Sequence, residues 1–253
     1  MKKDNIFCIM ALLVGLMSAC TSTQRPLQLM PIADHSVVID GKTVVKDEKD
    51  SVKLVVSFNG KFNEYMAFDT EIFNLSSKDM FTSPTHFQLI PLNENMSPIM
   101  ADSISPIVLE GVEPREKMND TNYQMALQDK KLKQAKVLNT VLFIGGIVAM
   151  ASSSGRSSRH DRYSTGMELG NAMVQFASVK RIIDHENYYS NMDRLHNERR
   201  TWSEQGFNSN TLSAHTSLRG DVFVPIFKNA KYVQLVYKLP NNEITFLFEQ
   251  HGE

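Results

Sequence analysis

The sequence predicts an α+β protein: an antiparallel β-sandwich, Ig-like, interrupted by a long α-helical hairpin insertion. Three observations carry this. Short β-branched and aromatic runs separated by turn residues occupy positions 36–114. After Glu113-Pro114 the hydrophobic period changes from two to about three and a half, and it stays there for about 90 residues. Strand texture then returns over 215–253. Three strands alone make a poor independent domain, so they join the first set in one sheet system and the helices become an insertion.

Taken in order, Val37-Val38-Ile39 and Thr43-Val44-Val45 flank Asp40-Gly41, a two-residue hairpin signal because both turn positions tolerate positive φ. A β-branched run over 52–58 ends at Asn59-Gly60, which reads as a second turn of the same chemistry. Over 65–74, Met66, Phe68 and Ile72 share one face while Asp69 and Glu71 share the other, as in a strand with one side in water. Ser83-Pro84 breaks the chain. Phe87, Leu89 and positions 107–109 give shorter strands among Pro91, Pro98 and Pro106.

Pro114 suits the opening of a helix, where its missing N–H would be unpaired anyway. Positions 115–136 are rich in helix formers and lack internal glycine and proline, and the helix continues into 137–151, the most apolar stretch outside the leader. A polar break over 152–159 has loop composition. A second helix is expected over 166–205, with Leu169, Met173, Phe176, Ile183, Met192, Leu195 and Trp202 recurring mostly at threes and fours. Trp202 reads as a packing anchor where this helix meets the sandwich. Of the last strands, the one over 221–227 carries Pro225, which belongs on an edge or at a bulge. Those over 232–239 and 244–248 are joined by Pro240-Asn241-Asn242 as a hairpin.

Residues 1–20 have a different character. Lys2 and Lys3 precede an apolar run over 6–17, broken only by Gly15, which closes on Leu16-Met17-Ser18-Ala19-Cys20. That layout reads as a secretory signal peptide. With its cysteine directly after the small residues, it resembles the lipobox of bacterial lipoproteins, and the resemblance covers only this leader. It implies diacylglycerol on the Cys20 thiol, cleavage before Cys20 and acylation of the new amino terminus. Two or more acyl chains, at about 0.8 kcal/mol per buried methylene, hold a protein at a membrane. In such proteins an aspartate after the cysteine favours the inner membrane and an acidic run favours surface display. Thr21-Ser22-Thr23-Gln24 match neither, which implies the outer membrane, facing the periplasm. The expected organisation is a signal peptide over 1–19, a lipidated tether over 20–35, a sandwich over 36–114 and 215–253, and a helical insertion over 115–214.

With 27 basic and 28 acidic residues and a net charge of -1 among 253 residues, the chain has no electrostatic reason to bind nucleic acid. One of its two cysteines leaves with the leader and the other is acylated, so no disulfide is expected and packing must supply stability. The 14 methionines read as adaptable core fillers.

Within 137–151, fifteen residues make about 22 Å of helix against a bilayer core of roughly 30 Å. Gly145 and Gly146 lie inside this stretch, where each weakens an isolated helix by about 1 kcal/mol and so marks close approach of another backbone. Gly166 and Gly170 offer a matching small-residue face across the break. Three readings stand: the two helices pack on each other through these glycines, the hairpin dips into a membrane, or it joins a second copy. Arg156, Arg159, His160 and Arg162 between the helices read as a solvated basic loop.

No metalloprotease, serine-hydrolase, Walker or dinucleotide motif occurs. His185-Glu186 begins like a zinc motif, but Tyr189 stands where the second histidine belongs. His185 and His196 share a helix face about 16 Å apart, too far for one metal. No catalytic residue, metal or cofactor is expected. The sequence therefore points to a non-catalytic envelope lipoprotein with a helical arm for a protein partner, itself or the membrane. An enzyme or small-ligand binder with a loop-built site is the alternative, and a deep polar cleft with converging titratable groups would favour it.

Overall fold

Twelve strands, two long helices and a short 3-10 helix at Pro84–His86 make up the regular structure of residues 26–33, 36–154 and 160–252, which this computed structural model describes. The strands before the helices are β1 (Gln28–Pro31), β2 (Ser36–Ile39), β3 (Lys42–Lys49), β4 (Val52–Phe62), β5 (Tyr65–Asn74), β6 (Met80–Thr82), β7 (Phe87–Leu92) and β8 (Leu109–Glu110). Helices α1 (Pro114–Ser154) and α2 (His160–Glu204) follow, and then β9 (Asn210–Leu212), β10 (Ser217–Pro225), β11 (Tyr232–Lys238) and β12 (Glu243–His251).

The protein is mixed α+β, with two five-stranded antiparallel sheets and a long helical insertion between β8 and β9. One sheet runs β1-β12-β11-β7-β8, the other β10-β5-β4-β3-β2, and β6 pairs with β9 apart from both. Strand alternation builds the core. In β5, Met66, Phe68, Thr70 and Ile72 are wholly buried while Asp69 and Glu71 are only partly covered. Leu54, Val56, Phe68 and Val222 from one sheet share a cluster with Leu89, Val233, Leu235 and Phe248 from the other. The rings of Phe68 and Phe248 lie 5.6 Å apart across it. Each such side chain contributes about 1.5–3 kcal/mol by leaving water.

Several expectations need correction. Residues 28–31, read as tether, form β1 against β12, with Gln28 opposite His251. Asn59-Gly60 is no turn: the ladder slips by one residue between Phe58 and Gly60, where Gly60 has φ 109°, and β4 continues to Phe62. Such a bulge absorbs one extra residue and lets Lys61 and Phe62 pair with Met66 and Tyr65. The reversal comes at Asn63-Glu64, where Asn63 takes φ 52°. The second helix begins at His160 rather than 166, and Ser152–Ser154 belong to the first. Two packed antiparallel sheets agree with the expected architecture, but the connectivity differs from an immunoglobulin domain. Four consecutive strands, β2 to β5, stay side by side in one sheet, whereas an immunoglobulin chain changes sheet after its second strand.

Pro225 ends β10 at a sheet edge, where its missing N–H costs no ladder bond. The insertion leaves and rejoins the body at one place, since a Cβ at Gly206 would stand 2.7 Å from the Pro114 ring. Trp202, only 1% exposed, fixes that place, with Phe62, Tyr65 and Phe223 ring centroids 5.1, 5.5 and 4.6 Å away.

Candidate functional site

Past Trp202 the two helices leave the sheets as an arm whose extended contact is with itself. Its direction follows from the base. Trp202 packs on Ala67 and Phe223 within the strands, whereas Lys117, Gln124 and Arg194, further out, gather round Glu64 and Tyr65 at the end of the hairpin. The arm therefore projects off the end of the body marked by the Asn63-Glu64 turn.

In the distal half, the least exposed positions recur mostly at threes and fours, among them Leu132, Ala135, Asn139, Leu142, Gly146 and Met150 on α1, and Gly170, Met173, Val174, Ala177, Lys180 and Asp184 on α2. This is an antiparallel coiled-coil seam, but from Asn139 outward it is built largely of small and polar residues. A Cβ at Gly146 would lie 2.9 Å from Val174 Cγ2 and 3.0 Å from the Gly170 carbonyl oxygen. One at Gly170 would lie 2.7 Å from the Gly146 carbonyl oxygen and press on Met150. The backbones meet here. Gly145, by contrast, faces open space. Gly166 lies within α2, but its surroundings are outside the described residues, as is Cys20.

Polar groups tie the seam halfway along. Asn139 Nδ2 donates to Asp184 Oδ2 at 3.0 Å, and Lys180 Nζ pairs with the same carboxylate at 2.7 and 2.9 Å. Asn139 Oδ1 is buried without a partner among the described residues. The large apolar side chains stand outside instead. Val137, Leu138, Val141, Phe143, Ile144, Ile147 and Val148 are exposed on α1, as are Leu169, Phe176, Val179, Ile182 and Ile183 on α2. Leu138 and Ile147, 49% and 46% exposed, are nine residues apart and so on opposite flanks at roughly 100° per residue. By length and composition α1 contains a segment able to cross a membrane, and 11% of that segment is buried. No family model, curated protein or solved structure matches this chain. What it does must follow from the arm's own chemistry.

Between the helices runs a groove of about 420 Å³, lined among others by Lys136, Thr140, Ser178, Arg181 and His185. It carries titratable groups but no nucleophile with its base. Ser178 Oγ donates to the Val174 carbonyl of its own helix at 2.9 Å, and the Asp184 carboxylate is taken by Lys180 and Asn139. Among the described residues no group of three or more His, Cys, Asp and Glu side chains is placed to hold a metal.

The body offers one buried acid. Burial pushes the Asp221 carboxyl above its ordinary range, opposed by the Asn59 amide, which donates to both its oxygens at 3.1 and 2.9 Å. Beside it, a two-pronged hydrogen bond from Arg219 at 2.9 and 2.7 Å holds Asp69 below that range. This network on a strand pair lies beside a pocket of about 240 Å³ lined by Lys42, Ser57, Asp69, Glu71 and Arg219, where the Asp69 carboxylate is already taken by Arg219.

The periodicity of Leu169, Phe176 and Ile183 marks a real face of α2, but that face is exposed, and Gly170, Val174 and Ala177 make the seam. Apolar periodicity alone does not say which side a helix buries. The signal was the adjacent small-residue series at the same spacing.

Proposed function

We propose that this protein is a lipid-anchored, non-catalytic component of a bacterial cell envelope, held at the outer membrane and facing the periplasm. Its body, sandwich-like in the Ig-like sense of two packed sheets, carries the helical arm as the contact organ for membrane, partner or self. Residues 1–19 are removed in this reading, and Cys20 carries the acyl chains.

The observation that carries it is the arm's outward apolar surface, which a water-facing helix pair would place in its seam. A run of exposed large apolar side chains of this kind marks an interaction surface. The lipobox-like leader supports the location.

Metabolic labelling with an alkyne fatty acid, followed by envelope fractionation, tests this. The natural chain is expected to take the label and sediment with outer membranes, and Cys20→Ser to lose the label. Equal labelling of both forms would overturn the anchor.

A further inference from the structure

The arm's distal half is apolar on its outer side but not uniformly so. Lys136, Thr140, Ser178, Arg181 and His185 line one groove together with Phe143, so both helices present polar groups on the same flank. Leu138 is two residues from Thr140, and Phe176 two from Ser178. At roughly 100° per residue each therefore stands nearly opposite its polar neighbour. Leu169 and Ile183, seven residues either side of Phe176, extend that second flank. The pair thus has an apolar flank, an apolar back on α1 formed by Val137, Val141 and Val148, and a groove flank that carries two permanent cations near the polar half, with Phe143 and Ile147 exposed further out.

We propose that this half of the arm enters one leaflet of a lipid bilayer at a slant, its apolar flank and the outer Phe143 and Ile147 among the acyl chains and the inner part of the groove flank, at Lys136, Thr140, Ser178 and Arg181, toward the head-group phosphates, beside the chain's own lipid anchor. The inference rests on the anchored reading above and deepens it by naming what the arm meets.

Three observations favour lipid over a protein partner or a second copy. The first is the inverted composition: small and polar residues in the seam with large apolar ones outside is how helices associate in lipid, where burying leucine against leucine gains little. The second is coverage. A partner or a twofold copy covers one face, whereas exposed apolar side chains run from Leu138 on one flank across Val141 and Val148 on the back to Ile147 on the outer part of the groove flank.

The third is where the chain leaves the body. Gln28 pairs with His251, Tyr232 with Glu249 and with Leu92, so β1 starts at that end of its sheet. The end is joined to the arm's base, since Gln250 Nε2 donates to the Phe227 carbonyl at 3.2 Å and the Ile226 N–H to the Glu64 carbonyl at 2.9 Å. Tether and arm thus leave the same end. The polar half of α2, from Trp202 back to Ile183, is about 29 Å long at 1.5 Å per residue. Residues 20–27 can span at most about 29 Å. A slanted arm brings the start of its apolar half closer to the body than that, so a lipid on Cys20 can sit in the leaflet that the apolar half reaches.

Entry without crossing follows from charge. Passage would carry Arg156, Arg159 and Arg162 through hydrocarbon, where each is costly. Lys136 and Arg181 can instead reach phosphates by extending their stems.

The test is depth-dependent quenching in the full acylated protein, reconstituted in phosphatidylethanolamine–phosphatidylglycerol vesicles. Cys8 and Cys20 are the only cysteines, so a thiol-reactive fluorophore should find none in the processed chain. Labelling of the unsubstituted protein would itself report a free Cys20 and the failure of the anchored reading, separately from the depth of the arm. Fluorophores are placed through Leu138→Cys and Phe176→Cys on the apolar flank, Thr140→Cys and Ser178→Cys on the groove flank, and Lys133→Cys on the polar half. Each variant is first checked for unchanged helical circular dichroism. Labels at 138 and 176 are expected to lose most of their emission to chain-brominated lipid and little to iodide, and those at 140, 178 and 133 the reverse. Iodide quenching at 138 and 176 equal to that at 133 would overturn the proposal. So would protection from both quenchers, which means a protein contact, or equal bromine quenching on both flanks, which means a helix pair surrounded by lipid.

Discussion

Alanine at Gly145 and at Gly170 should move the arm's stability in opposite directions, although both are glycines inside long helices. Replacing an interior helical glycine by alanine gains about 1 kcal/mol through restricted backbone freedom. At Gly145 nothing lies within 4 Å of the new Cβ, so that gain should appear undiminished. At Gly170 the Cβ would stand 2.7 Å from the Gly146 carbonyl oxygen and 3.1 Å from the Met150 nitrogen. These are backbone atoms, and they yield only if the helices separate. Overpacking of this kind costs about 1–3 kcal/mol. Because both variants share the propensity gain, their difference isolates that cost, and Gly170→Ala should be less stable than Gly145→Ala by about 1–3 kcal/mol. Amide hydrogen exchange, read on peptides from 130–150 and 168–190 in detergent micelles, localises the effect to the arm. Equal protection in the two variants, or greater protection in Gly170→Ala, would refute the close approach of the backbones.

Other perturbations test the body and the junction. Trp202→Ala removes a ring packed on three others and should destabilise by about 3–5 kcal/mol, read by denaturant titration; a loss below about 1 kcal/mol would place Trp202 outside the junction. Deleting 115–204 and joining the ends with a short glycine–serine linker should leave a folded β-rich body, because Gly206 already meets Pro114 and closing a loop costs little. A disordered product would show that the sheets need the arm. Asp221 sets a pH signature. Its raised folded pKa means that the native state binds the extra proton, so stability should rise as pH falls toward the ordinary 3.8 and level off below it. Asp69, held low by Arg219, acts with the opposite sign: its stabilisation is present above 3.8 and is lost only at lower pH. Melting temperatures against pH should lose the first feature and keep the second in Asp221→Asn; an unchanged rise would assign it elsewhere.

Much of the fold was legible where local chemistry decides it. Asp40-Gly41 makes the β2–β3 hairpin, with φ 50° and 76°, and Pro114 opens α1. What was not legible depended on partners distant in sequence. Leu27 and Leu29, between two prolines, resemble linker until β12 is there to pair with 28–31. Asn59-Gly60 has the chemistry of a turn and of a bulge alike, and the pairing of 61–62 with 65–66 chooses the bulge. In the arm, the glycine pattern announced a close helix contact. The side of α2 that faces solvent could not be read from spacing, because the apolar and small-residue series both recur at helical intervals and only the packed pair separates them.

The measurement that bears most directly on the central claim is flotation of the unlipidated chain, beginning at Thr21, with phospholipid vesicles. The account predicts that the arm alone carries this protein to the vesicle layer, and that Leu138→Asp combined with Phe176→Asp abolishes flotation while helical circular dichroism is unchanged. An unaltered chain that stays with the soluble fraction at every protein-to-lipid ratio would contradict it.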